Sequence, residues 1–82
     1  MYENFFLNIL DLNDNTHKVY CFGYEHSIEY VKFALAQTTD IRKKNISLYL
    51  NNVELMDHQT LKECGIGKST VLRMFFKLKA GR

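Results

Sequence analysis

The nearest approach to a reactive motif in this chain is Gly65-Ile66-Gly67-Lys68-Ser69-Thr70, because Gly-Lys-Ser-Thr can present backbone amides and an ammonium to a phosphate. A phosphate-binding loop also needs a glycine five residues before Gly67, and Lys62 stands there. The residues from Val71 onward read as a strand, not as the helix such a loop must open, so the segment is expected to be a turn. Asp11, Asn13 and Asn15 have the spacing of the first ligands of a calcium loop. Thr16, however, occupies the place of the required glycine, and Phe22 that of the bidentate glutamate. A hairpin turn accounts for them better. His17, His26 and His58 have neither the short spacing nor the neighbouring cysteine of a zinc site. A catalytic thiol at Cys21 or Cys64 would need a tertiary arrangement that the sequence does not signal. Nothing here points to an enzyme, and no cofactor, metal or small-molecule substrate is called for.

The elements that would position these residues emerge from periodicity. Phe5, Leu7 and Ile9 alternate with Phe6, Asn8 and Leu10 as a first strand, and Asp11 to Asn15 supply turn chemistry, since Asn and Asp tolerate left-handed backbone. A second strand comes next over about Thr16 to Phe22, completing a hairpin. Ser27 is a good N-cap for a helix whose Ile28, Val31 and Leu35 recur at helical spacing, with Glu29 suited to the positive end of its dipole. The helix is expected to end near Thr38-Thr39-Asp40. Tyr30 and Phe33 fall off the apolar stripe, and of the two places open to them, flanking the core is preferred to a second exposed aromatic spot. Ile46 to Leu50 alternate as a third strand, Asn51-Asn52 signal a turn, and Val53 to Leu55 form a short fourth strand. In the closing strand Leu72, Met74 and Phe76 alternate with Arg73, Phe75 and Lys77. A hairpin, one helix and then more strands indicate an α+β domain.

Composition bounds the rest. The 82 residues make one small domain, and 46% apolar content with six Phe and five Tyr suffices for a core without staples. Two cysteines are too few for a disulfide framework, which favours an intracellular, reducing compartment, cytoplasmic or nuclear. The first residues lack the basic and apolar regions of a secretory signal, and no segment approaches transmembrane length. A net charge of +2 does not by itself imply nucleic acid. Proline is absent, and no linker or repeat divides the chain.

Taken together, these residues resemble ubiquitin along nearly the whole chain. Ser27-Ile28-Glu29-Tyr30-Val31-Lys32 is similar to the start of the ubiquitin helix, and Ile41 falls where the family has a buried isoleucine. Leu48-Tyr49-Leu50-Asn51-Asn52-Val53-Glu54-Leu55 resembles the family's next strand, turn and short strand, and Thr60 to Ile66 the segment after it. From Ser27 to Gly81 the match needs no gap, whereas the first hairpin matches if its turn carries one extra residue. The resemblance implies the β-grasp fold, a mixed sheet wrapping one helix. Its core would comprise Phe5, Leu7, Ile9, Tyr20, Phe22, Ile28, Val31, Leu35, Ile41, Leu48, Leu50, Leu55, Leu61, Ile66, Leu72 and Met74. The family's Pro-Pro turn after the helix is replaced by Arg42-Lys43, and the terminal Gly-Gly of its conjugating members by Ala80-Gly81, followed by Arg82.

The resemblance also implies a working surface. Leu48 and Leu50 point inward, which turns Tyr49 outward, and Arg73, Phe75 and Lys77 share the outward face of the last strand. Tyr49 and Phe75, expected side by side, would occupy two positions of ubiquitin's aliphatic recognition patch, with Leu12 at the third. Aromatic anchors rimmed by Arg73 and Lys77 suit a protein partner, and a pocket shaped for Ile and Val would have to repack to take them. The leading expectation is a monomeric, non-covalent adaptor domain at the N-terminus of a longer protein. It would dock on ubiquitin receptors or proteasome subunits, not on membrane or nucleic acid. The alternative is a covalent modifier, in which processing after Gly81 exposes a carboxylate for adenylation and thioester transfer, with Ala80 a departure from the family's glycine.

Overall fold

Alternation and turn chemistry build a five-stranded mixed sheet over one helix, in a computed structural model that describes residues 3–76. Strand β1 (Asn4–Asp11) pairs antiparallel with β2 (Thr16–Gly23), helix α1 (Ile28–Thr39) comes next, and β3 (Ile46–Leu50), β4 (Val53–Glu54) and β5 (Val71–Phe76) complete the order. The spatial order is β2-β1-β5-β3-β4, so the last strand lies between the first and the third. It runs parallel to β1 and antiparallel to β3. This is the α+β architecture that the resemblance implied.

Each expected signal has a local cause. The Ser27 hydroxyl accepts the Tyr30 N–H at 3.1 Å and opens α1, which ends at Asp40 in the left-handed conformation (φ 63°). Thr38 and Thr39 donate their hydroxyls back to the Leu35 carbonyl, and the Asp40 N–H bonds the Ala36 carbonyl as the last turn closes. Asn51 and Asn52 both have positive φ, 52° and 69°, which gives the β3–β4 hairpin the twist of its strands without glycine.

The inward faces of β1, β5 and β3 meet Ile28, Val31 and Leu35 of α1, and Leu55, Leu61 and Ile66 close the core's end. Gross burial is worth about 1.5–3 kcal/mol per large apolar side chain, so this set can offset the ordering entropy of a small domain. Two corrections arise. Tyr20, Ile41 and Leu50 pack against the core without being fully enclosed, while Ile46, absent from the expected set, is buried as the inward residue that opens β3. Tyr30 and Phe33 are more exposed than expected, at 46% and 50%, because α1 buries only the stripe through Ile28, Val31, Lys32 and Leu35; Tyr30 still touches the core edge-on at Phe22. Lys32 belongs to that stripe because its ammonium meets the Asp57 carboxylate at 2.7 Å.

Candidate functional site

The outward face of the sheet gathers residues from three separate stretches of chain. Burial of Leu48, Leu72 and Met74 turns Tyr49, Arg73 and Phe75 to the opposite side. Register then sets their neighbours. Leu10 of β1 pairs with Arg73, and Arg73 pairs with Tyr49, so the three form one row across the sheet. Phe75 sits opposite Ser47, one row further along. Tyr49 and Phe75 are therefore diagonal neighbours, not the side-by-side pair expected from the sequence, because antiparallel pairing of β3 with β5 gives Tyr49 to Arg73.

Leu12 joins them through the hairpin turn. Its N–H bonds to the Met74 carbonyl at 2.9 Å, extending the β1–β5 ladder by one step. Asn13 then clamps the end of β5: its Nδ2 donates to the Phe76 carbonyl, and its Oδ1 accepts the Phe76 N–H, both at 3.1 Å. The side-chain amide thus continues the sheet where the backbone turns away. The acidic and amide triplet of this turn works the same way throughout. The buried Asp11 carboxylate accepts the Asn13 N–H at 2.9 Å and sits 3.5 Å from the Lys18 ammonium, and Asn15 takes a left-handed φ of 61°. These side chains shape the hairpin.

The result is an open groove lined by Leu10, Leu12, Tyr49, Asn52, Arg73 and Phe75. Four of the sequence-predicted site residues, Leu12, Tyr49, Arg73 and Phe75, meet around it. Lys77, Ala80 and Gly81 lie outside the described residues. Leu12 and Phe75 are 45% and 41% exposed, while Tyr49 is half-buried between its cross-strand neighbours. The Arg73 guanidinium reaches the Asn52 side-chain oxygen at 3.4 Å and has no carboxylate partner among the described residues. The groove is therefore apolar with one cation at its centre. Sequence reasoning missed Leu10 and Asn52 as lining residues and Asn13 as the clamp. The first two were visible only as a strand and a turn residue, and Asn13 meets a partner 63 positions away.

The glycine-rich segment behaves as a turn. Gly65 adopts φ 74°, and the Gly67 N–H is taken by the Thr70 hydroxyl at 3.0 Å. Burial, followed by the Glu63 carboxylate beside it, raises the Cys64 thiol above its ordinary range, which disfavours the nucleophilic thiolate. Among the described residues no group of three or more His, Cys, Asp or Glu is placed to hold a metal, and no helix is long and apolar enough to cross a membrane.

The mixed sheet wrapped on one helix, with an open groove on its outer face, is the arrangement of a ubiquitin-like β-grasp domain. A model of the ubiquitin family matches residues 6–79. The chain belongs to the ubiquitin family. A comparison with curated proteins finds no match.

Proposed function

We propose that this domain is a non-catalytic docking module that holds a ubiquitin-pathway or proteasomal receptor non-covalently, and so tethers the protein that carries it. The observation that carries this reading is the convergence of Leu12, Tyr49, Arg73 and Phe75 on one open groove. Apolar and aromatic anchors around a lone guanidinium match the composition of interaction hot spots. Tyr49 and Phe75, where ubiquitin has aliphatic side chains, favour receptors whose pockets accept flat rings over those shaped for branched ones.

The test is amide chemical-shift mapping with a panel of ubiquitin receptors, followed by calorimetry on Phe75→Ala. The expected result is perturbation centred on Leu12, Tyr49, Arg73 and Phe75, with at least a roughly ten-fold loss of affinity in the variant. Its melt should stay cooperative and fall by less than a core Phe→Ala change costs, since the ring is 41% exposed and outside the core. Silence across the whole panel would remove the support for this surface. The competing modifier reading predicts that a version ending at Gly81, given an activating-enzyme mixture and ATP, forms a reductant-labile thioester; that product would overturn the adaptor reading.

A further inference from the structure

Strand β2 is a free edge of the sheet, eight residues long and paired only with β1 among the described residues. Gly23 shows which of its peptide groups face outward. Its N–H donates to His26 Nδ1 at 2.9 Å and its carbonyl accepts the His26 N–H at 3.1 Å, so both point away from Asn4, its partner in β1. Direction alternates along an antiparallel strand. His17, Val19 and Cys21 therefore each direct one N–H and one C=O away from β1, while Lys18, Tyr20 and Phe22 bond inward.

Sheet edges of this kind are ordinarily blunted by proline, bulges or projecting lysines. Here proline is absent from the chain, and pairing with β1 runs unbroken from Asn4↔Gly23 to Asp11↔Thr16. Lys18 is turned back onto Asp11 and Asp14, at 3.5 and 3.8 Å. Apolar side chains flank the edge on both sides. On the outer face stand Phe6 and Val19, 70% and 60% exposed. On the helix side, Tyr30 packs edge-on to Phe22 at 6.1 Å, with Phe33 beyond it. The two charged residues of α1 are paired, Glu29 with Lys43 and Lys32 with Asp57, each at 2.7 Å, and the Glu25 carboxylate stands beside Gly23 at the strand's end.

We propose that β2 pairs antiparallel with β2 of a second copy about a two-fold axis at Val19, joining two five-stranded sheets into one. The strand's own residues select this occupant and this register. Centring the axis on Lys18 would oppose two ammonium groups, and like charges directly opposite are destabilising. Centring it on Tyr20 would pair His17 with Gly23, whose peptide groups His26 already holds. Centring it on Val19 engages all three free residues. It sets Val19 against Val19, His17 against Cys21 and Lys18 against Tyr20, with no like charges opposed. The axis stands perpendicular to the sheet, so both grooves open on the same face. Five strand spacings separate the two β5 strands, roughly 24 Å. A partner with two docking motifs would then gain avidity without any new contact type. The pairing stands whether or not the groove binds a receptor.

The experiment is sedimentation equilibrium of the 82-residue chain over a concentration series, beside Val19→Lys. The wild type is expected to approach the mass of two chains, while Val19→Lys, with two ammonium groups opposed on the axis, stays at one. Register is read separately by Val19→Cys in a Cys21→Ser, Cys64→Ser background, with oxidised glutathione as oxidant. Residue 19 faces itself at a hydrogen-bonded pair, with a Cα separation of about 5.5 Å that a disulfide can span. His17→Cys in the same background should stay uncrosslinked, because its twin lies four residues along, about 13 Å away. A single-chain mass throughout the series overturns the proposal. So does a dimer indifferent to Val19→Lys, or a Val19→Cys chain that fails to crosslink; the crosslinking arm decides the matter even where Val19→Lys does not fold.

Discussion

Replacing Asn13 with alanine isolates the device that carries Leu12 to the groove. The substitution deletes two hydrogen bonds to the Phe76 backbone, both 3.1 Å and both exposed to solvent. Exposure places each near the low end of net hydrogen-bond worth, about 0.5 kcal/mol, because water takes over the vacated Phe76 groups. The expected stability loss is therefore about 1 kcal/mol, which for a domain of this size lowers Tm by roughly 4–8 °C. The local effect should be larger than the global one. Leu12 keeps its N–H bond to Met74 but loses the anchor on the residue after it, so the turn gains freedom that a receptor must remove. Hydrogen exchange read residue by residue, beside a thermal melt, separates the two effects. Exchange should quicken most at Leu12 and Phe76, while the core amides of Leu48 and Val31, which open only with the whole fold, should quicken no more than the about five-fold that 1 kcal/mol implies. A melt within about 1 °C of wild type, with unchanged exchange at Leu12, would refute the claim that Asn13 holds the turn.

The geometry sets four further outcomes. Leu48→Ala empties a fully buried position on β3 and should cost about 2–5 kcal/mol, which on the same scale lowers Tm by roughly 8–40 °C. Asp57→Ala strands the buried Lys32 ammonium and should cost about 1 kcal/mol, discounted because the carboxylate is half in solvent; Lys32→Met should cost less, since its stem still packs. The Thr16 hydroxyl, then its N–H and the Lys18 ammonium, hold the Asp14 carboxyl below its ordinary range. Because the folded value is the lower one, Asp14 adds stability above the ordinary carboxylate range and loses it as pH falls through the folded value. Asp14→Asn should thus flatten the acid limb of a pH–denaturation profile. With a thiol-reactive disulfide reagent, exposed Cys21 should react before Cys64, whose thiol is partly buried and raised; equal rates would contradict that placement.

Much of the fold was legible because local signals agreed. Ser27 caps where a cap was expected, Asn51-Asn52 turn without glycine, and the alternation of Leu72 and Met74 with Arg73 and Phe75 assigned the two faces of β5 correctly. Long-range register was not legible. Whether Tyr49 faces Arg73 or Phe75 depends on a two-residue offset between strands that hydrophobic alternation leaves unchanged, because it preserves every residue's face. Tyr30 and Phe33 went astray for a related reason: helical spacing identifies a stripe, but the stripe's width depends on what packs against it, and here Lys32 took a place in it through Asp57. Asn13 was out of reach of any local rule, since its partner is at the far end of the sheet's last strand.

The position of β5 also has a consequence for the order in which the molecule is made. Synthesis delivers β1, β2, α1, β3 and β4 first, yet β1 and β3 have no common hydrogen-bonding partner within the sheet until the final strand slides between them. The early hairpin, with Phe5, Leu7 and Ile9 uncovered, is at best marginally stable alone. A nascent chain arrested short of Phe76 therefore stays open to proteases and chaperones. Emergence of β5 from the ribosome and completion of the fold become nearly one event, and a product truncated before it carries its own mark for removal.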